Sequence, residues 1–162
     1  MQQEVSLYRH SASLSRTTTP WAQSVQAQIL HLMKQMRAKL GAAVLLITHD
    51  LGVIAEMCDR LAIMYAGHVV EEGNVFSIFE RPLHPYTNGI LSCIPSIDRP
   101  VDKLMTIAGT VPSLAEPLPG CSFESRCTER LTMCSESSPP EIYVDADHRV
   151  RCFLYGKDRS WA

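Results

Sequence analysis

Between two stretches of helical spacing runs Ala42-Ala43-Val44-Leu45-Leu46-Ile47, an unbroken apolar segment rich in branched side chains. A run this short and continuous reads as a β-strand buried on both faces, because a half-exposed strand would alternate with polar residues. Such a strand needs neighbours at its edges and cover on both faces, and that requirement constrains the rest of the chain. Before it, Val25, Ile29, Leu32, Met33, Met36 and Leu40 recur at helical spacing, and Gly41 supplies a stop signal. After it, Thr48-His49-Asp50 ends the strand, with Asp50 placed as N-cap of a helix from Leu51 to Cys58. Arg60 to Tyr65 reads as a second buried strand, and Ala66-Gly67 turns the chain into His68–Glu72, with Gly73 closing a hairpin. Helix, strand, helix, strand predicts an α/β fold with a mainly parallel sheet. Only two or three strands are at hand, so the partner of Val44–Ile47 is expected from elsewhere.

The remaining segments divide by composition. Residues 1–24 are rich in Ser, Thr and Gln without a steady period, which predicts a poorly ordered segment ahead of a first compact part over 25–80. Within that part Val75–Glu80 reads as a short helix, and a second helix follows Arg81-Pro82-Leu83-His84-Pro85-Tyr86 and runs to about Cys93. Prolines at 95, 100, 112, 117 and 119 make the later part of 81–120 an extended linker, with one candidate strand at Leu104–Ala108. Residues 121–156 form a small, irregular, cysteine-rich extension, and 157–162 a tail. A net charge of −2 without runs of one sign gives no reason to expect nucleic-acid binding. The first residues lack the apolar stretch of a secretory signal, and nowhere do 18 apolar residues follow one another, so a cytosolic chain is expected.

In the cytosol thiols stay reduced, so six cysteines point to buried thiols or metal ligation rather than disulfides. Cys121, Cys127, Cys134 and Cys152 are separated by five, six and seventeen residues, which is not the paired C-x₂-C spacing of zinc ribbons. Their segment has few large side chains to bury, and a ligated metal would supply stability that such a core cannot. Four thiolates suit zinc or iron–sulfur chemistry; free thiols are the third possibility. Arg126, Arg149 and Arg151 either offset the charge of such a centre or form a solvated rim, while Cys58 and Cys93 sit on helices as small hydrophobes.

The segment from Val44 through Thr48-His49-Asp50 and Met64-Tyr65-Ala66-Gly67 to Gly73 resembles the switch-histidine region of ABC ATPases. Arg81-Pro-Leu-His-Pro-Tyr-Thr87 and Gly120-Cys-Ser-Phe-Glu-Ser-Arg-Cys127 are similar to the extension specific to dipeptide, oligopeptide and nickel importers. The resemblance covers roughly residues 25–155 and implies a P-loop NTPase-like fold, ATP and magnesium as cofactors, and a role in peptide import. It implies as partners a second ATP-binding subunit and membrane permease subunits, and a cytoplasmic location on the inner face of the membrane. It assigns His49 to the γ-phosphate and the attacking water, a role that suits an imidazole at the carboxyl end of a strand facing a nucleotide crevice. It also implies a [4Fe–4S] cluster on Cys121, Cys127, Cys134 and Cys152, with zinc as the alternative. Asp50 reads as a cap rather than a catalytic acid, Glu71 and Glu72 as solvated charges, and Met64 and Tyr65 as core.

Several parts of the ATPase machinery are not in this sequence. Its sole Gly-Lys pair, Gly156-Lys157, has Arg151 where a P-loop needs its first glycine and Asp158 where it needs Ser or Thr. No Gly-Gly pair of a signature motif occurs. Ser15 and Arg16 stand where the family carries its magnesium-binding Asp and catalytic Glu, and Ala22 where it carries the D-loop aspartate. Phosphoryl transfer depends on metal, lysine and backbone amides acting together, so no measurable ATPase is expected of this chain alone. The expectation is a truncated or disrupted product. A non-enzymatic interaction module and a metal- or redox-sensing domain stand as alternatives.

Overall fold

The computed structural model describes residues 4–5, 20–93, 106–113 and 118–156. Helix α1 (Pro20–Leu40) begins five residues before Val25, with proline at its first turn, where a missing N–H costs nothing. Gly41 ends it at φ +59°, a conformation open to glycine. Leu30 packs on α2 (Leu51–Met57) through Val53 and Met57, flanked by ion pairs from Lys34 to Glu56 and Arg37 to Asp59. Asp50 caps α2 as expected, its Oδ1 accepting from the amides of Gly52 at 3.0 Å and Val53 at 3.2 Å.

The sheet overturns the expected topology. Its core is a four-stranded array of β3 (Arg60–Tyr65), β4 (His68–Asn74), β6 (His148–Arg151) and β5 (Glu141–Asp145), in that spatial order. Two-residue strands β1 (Glu4–Val5) and β2 (Ile47–Thr48) extend it beyond β3, giving the order β2-β1-β3-β4-β6-β5. Every pairing is antiparallel, not mainly parallel. The reason is local: Ala66-Gly67 and Ala146-Asp147 are two-residue connections, and a parallel neighbour would need a crossover of about a dozen residues or more. Ala66 at φ +46° and Gly67 at φ +81° give the first turn the mirror-image geometry that matches strand twist.

The apolar run that promised a doubly buried strand forms only β2. Residues 42–46 pair with no strand among the described residues, Val44–Leu46 are half-buried, and Ile47 is 60% exposed. In contrast β3 alternates, turning Leu61, Ile63 and Tyr65 into the core beside Ile54, Ile78 and Phe123. The short helices α3 (Val75–Glu80) and α4 (Pro85–Ser92) lie where the sequence placed them, capped by Asn74 and His84. Residues 106–108, part of the candidate strand at Leu104–Ala108, are not in a strand; Leu104 and Met105 lie outside the described residues, as do Ser15, Arg16, most of 1–19 and the 157–162 tail. The cysteine-rich segment adds α5 (Met133–Glu136) and the β5–β6 hairpin, which joins the common sheet through β4.

Candidate functional site

His49 occupies the bend between β2 and α2 and is exposed. The residue before it, Thr48, accepts the Asp50 amide on its Oγ1 at 3.0 Å, and Asp50 in turn caps the helix, so both neighbours are fixed while the imidazole faces solvent. β2 lies at the opposite end of the strand order from β6 and β5. The structure therefore does not bring His49 together with the cysteines. Ala22 lies on α1.

Cys121, Cys127, Cys134 and Cys152 come from four separate stretches and line one small cavity, together with His84 and Phe123. Backbone bonds set the first three in place. The Cys121 amide donates to the Cys134 carbonyl at 2.7 Å, Glu124 N to Cys121 O at 3.0 Å, and Cys127 N to Glu124 O at 3.1 Å. Gly120 permits the first of these, since a Cβ there would stand 2.1 Å from the Cys134 carbonyl oxygen. Cys152 arrives from the end of β6. All four are free thiols. Burial raises the thiols of Cys121 and Cys127 and pushes Cys152 up to about 12, with neighbouring cysteines adding to the effect. Among the described residues, no group of three or more His, Cys, Asp or Glu side chains converges closely enough for one metal ion.

Arg126 does not face this cavity as a counter-charge. Its guanidinium donates to the carbonyls of Ala108 and Ile107, both at 2.9 Å, and to the Tyr65 hydroxyl at 3.3 Å. Arg149 and Arg151 belong to a cross-strand ladder with Glu72 and Glu141, which Arg60 completes. Burial pushes the Glu72 carboxyl up, but Arg149 and Arg60 together hold it below the usual range. Met64 and Cys58 are half-buried; Cys93 is too, its thiol reaching the Gly89 carbonyl at 3.1 Å.

The residue that sequence reasoning misjudged is Glu71. Rather than a solvated charge, it is 1% exposed and accepts three hydrogen bonds: from the amides of Leu83 and His84, both at 2.8 Å, and from His148 Nε2 at 2.7 Å. It thus binds β4, β6 and the Leu83-His84 segment at one point. His148 is 2% exposed, and its Nδ1 is buried without a hydrogen-bond partner among the described residues. His84 lies between this hub and the cysteines. Its Nδ1 accepts the Tyr86 amide at 3.0 Å, and burial lowers the ring's pKa to about 4. The only advance signal was its place in the Arg-Pro-Leu-His-Pro-Tyr motif.

Residues 70–134 match the family described as the oligopeptide/dipeptide transporter, C-terminal region. The chain is 45% identical over 141 residues to the oligopeptide transport ATP-binding protein AppD of Bacillus subtilis, covering 87% of this chain and 43% of that protein. It is 44% identical over 137 residues to the dipeptide transport ATP-binding protein DppD of the same organism, covering 85% and 41% respectively. A probable peptide ABC transporter ATP-binding protein of Sinorhizobium fredii is 43% identical over 137 residues, covering 84% and 41%. The alignments thus take in between 41% and 43% of these relatives' lengths.

Proposed function

The chain corresponds to the carboxy-terminal portion of a peptide ABC transporter ATP-binding protein, and from that premise we propose that it serves ATP-driven peptide import by presenting His49 to nucleotide held outside this chain and by holding a [4Fe–4S] centre on Cys121, Cys127, Cys134 and Cys152. The observation that carries the reading is the cavity: four free thiols from separate stretches line it, and three of them, Cys121, Cys127 and Cys134, fall within the matched residues 70–134. Four cysteine thiols are a donor set that suits iron–sulfur chemistry. When bound, such a centre supplies a one-electron store and a cross-link between chain segments. Cys121, Cys127 and Cys152 must first lose protons that burial holds in place, so metal uptake is favoured by rising pH.

His49 supports the nucleotide half of the reading. It is exposed at a strand end, oriented by a Thr48–Asp50 bend, and free to donate to a phosphate oxygen. The apolar stripe of Val25, Leu32, Met36 and Leu40 on α1, exposed alongside Ile47, is the face on which the rest of an ATPase core would pack. A second ATP-binding subunit and permease subunits are the partners of this reading, and the inner membrane face its location. Among the described residues, no helix is long and apolar enough to cross a membrane. With no P-loop lysine and no catalytic carboxylate at the expected place, the chain alone turns over no ATP. Steady phosphate release by the purified chain with ATP and magnesium should match that of His49→Ala; turnover above that control would refute the reading.

A further inference from the structure

The four thiols of the lobe are not equally placed toward one another. The Cys121 amide donates to the Cys134 carbonyl at 2.7 Å. With standard backbone dimensions, the two Cα atoms at the ends of that bond stand at most about 6.6 Å apart, inside the roughly 4.4–6.8 Å that a disulfide spans. Both residues line the same small cavity. Cys127 is bonded to Glu124 instead, and Cys152 follows β6, so neither shares a direct backbone link with another of the four among the described residues. Cys121 and Cys134 also differ in access: the first is half-buried and the second only 8% exposed. The Cys134 sulfur accepts the Leu131 amide at 3.4 Å, a bond that fixes its direction and supports the charge that gathers on it when it attacks.

We propose that Cys121 and Cys134 form a reversible disulfide in the metal-free chain, with a small-molecule disulfide such as oxidised glutathione as the oxidant. The more accessible Cys121 sulfur attacks the oxidant and displaces one thiolate, which leaves a mixed disulfide on Cys121. Cys134 then attacks the Cys121 sulfur, breaking that bond and forming the internal one as the second thiolate leaves. The chain gives up two electrons and two protons, and the oxidant departs as two thiols. The bond needs no centre in the cavity, and by withdrawing two of the four thiols it makes oxidation and metal loading mutually exclusive.

The product can be read directly, because Arg126, Arg130 and Arg149 separate the four cysteines into different tryptic peptides. The full chain is reduced, stripped of metal with a chelator, and exposed to oxidised glutathione in buffer and, separately, in denaturant. Free thiols are then blocked and counted, and the unreduced tryptic peptides are identified by mass. Cys134→Ser and Cys152→Ser are treated alike.

The folded chain should lose two of its six thiols and yield one linked pair, the Cys121 and Cys134 peptides, which dithiothreitol separates again. Cys152→Ser should yield the same pair. Cys134→Ser should stop at glutathione joined to Cys121, with no internal link. A link from Cys121 to Cys127 or Cys152 in the folded wild type, or six thiols still free, would overturn the inference. An equal yield of the Cys121–Cys134 link in denaturant would overturn it too, since the fold would then contribute nothing. Iron and sulfide in the chain as purified test the cluster reading separately, so either reading can fail without the other.

Discussion

At the scale of single residues, the chain is organised by two buried polar groups that the sequence disguises. Glu71 follows Val70 and precedes Glu72, and nothing in Val-Val-Glu-Glu-Gly tells one glutamate from the other. Strand alternation puts them on opposite faces, and the face of Glu71 is covered by the Leu83-His84 segment, whose proline-flanked backbone has amides to satisfy. Glu71→Ala would strand three donors in the interior. It should cost about 3–5 kcal/mol in denaturant unfolding, whereas a change under 1 kcal/mol would show that the hub contributes little. His84 gives the chain a pH dependence. Its folded pKa of about 4 lies below the ordinary 6.5, so between those values the unfolded chain binds a proton that the folded chain refuses. Stability is therefore complete above pH 6.5 and falls as pH drops toward 4, by about 3 kcal/mol from this group. His84→Asn, which keeps the cap, should flatten that part of the curve; an unchanged slope would assign the acid sensitivity to other groups.

At the scale of elements, the short-range signals were readable and the long-range pairing was not. Asp50 announces a helix start, Gly41 a helix end, and Ala66-Gly67 a tight turn, because each is a local demand on backbone geometry. The parallel sheet failed because a continuous apolar run reports burial, not the direction of a neighbour. Likewise, the β5–β6 hairpin was hidden in a segment read as irregular: Glu141, Tyr143 and Asp145 alternate with Ile142 and Val144, but the charged ladder masks the period. The cysteine lobe depends on an element contact of a different kind, the approach of residue 120 to the Cys134 carbonyl. Gly120→Ala forces that backbone apart and should destabilise the lobe by about 1–3 kcal/mol, seen as faster labelling of Cys134 and Cys152 by a thiol reagent. Labelling at the wild-type rate would mean the loop yields freely.

For the molecule as a whole, one sheet joins two regions of different chemical character. One end of the sheet leads into His49, and the other merges into a lobe whose four thiols line a cavity. Because β4 pairs with β6 and Glu71 bridges them, the lobe is fastened to the hairpin rather than tethered by the linker alone. The candidate cysteines could be named from sequence, yet not their meeting place, since the hairpin that returns Cys152 is set by pairing across 77 positions between Glu71 and His148. The lobe's purpose is the central claim. Iron and acid-labile sulfide should be measured in the chain purified without oxygen, beside Cys127→Ser. About four of each per chain with a visible charge-transfer band, both lost in the variant, is the predicted result; one zinc per chain, or four free thiols with no metal, would contradict it.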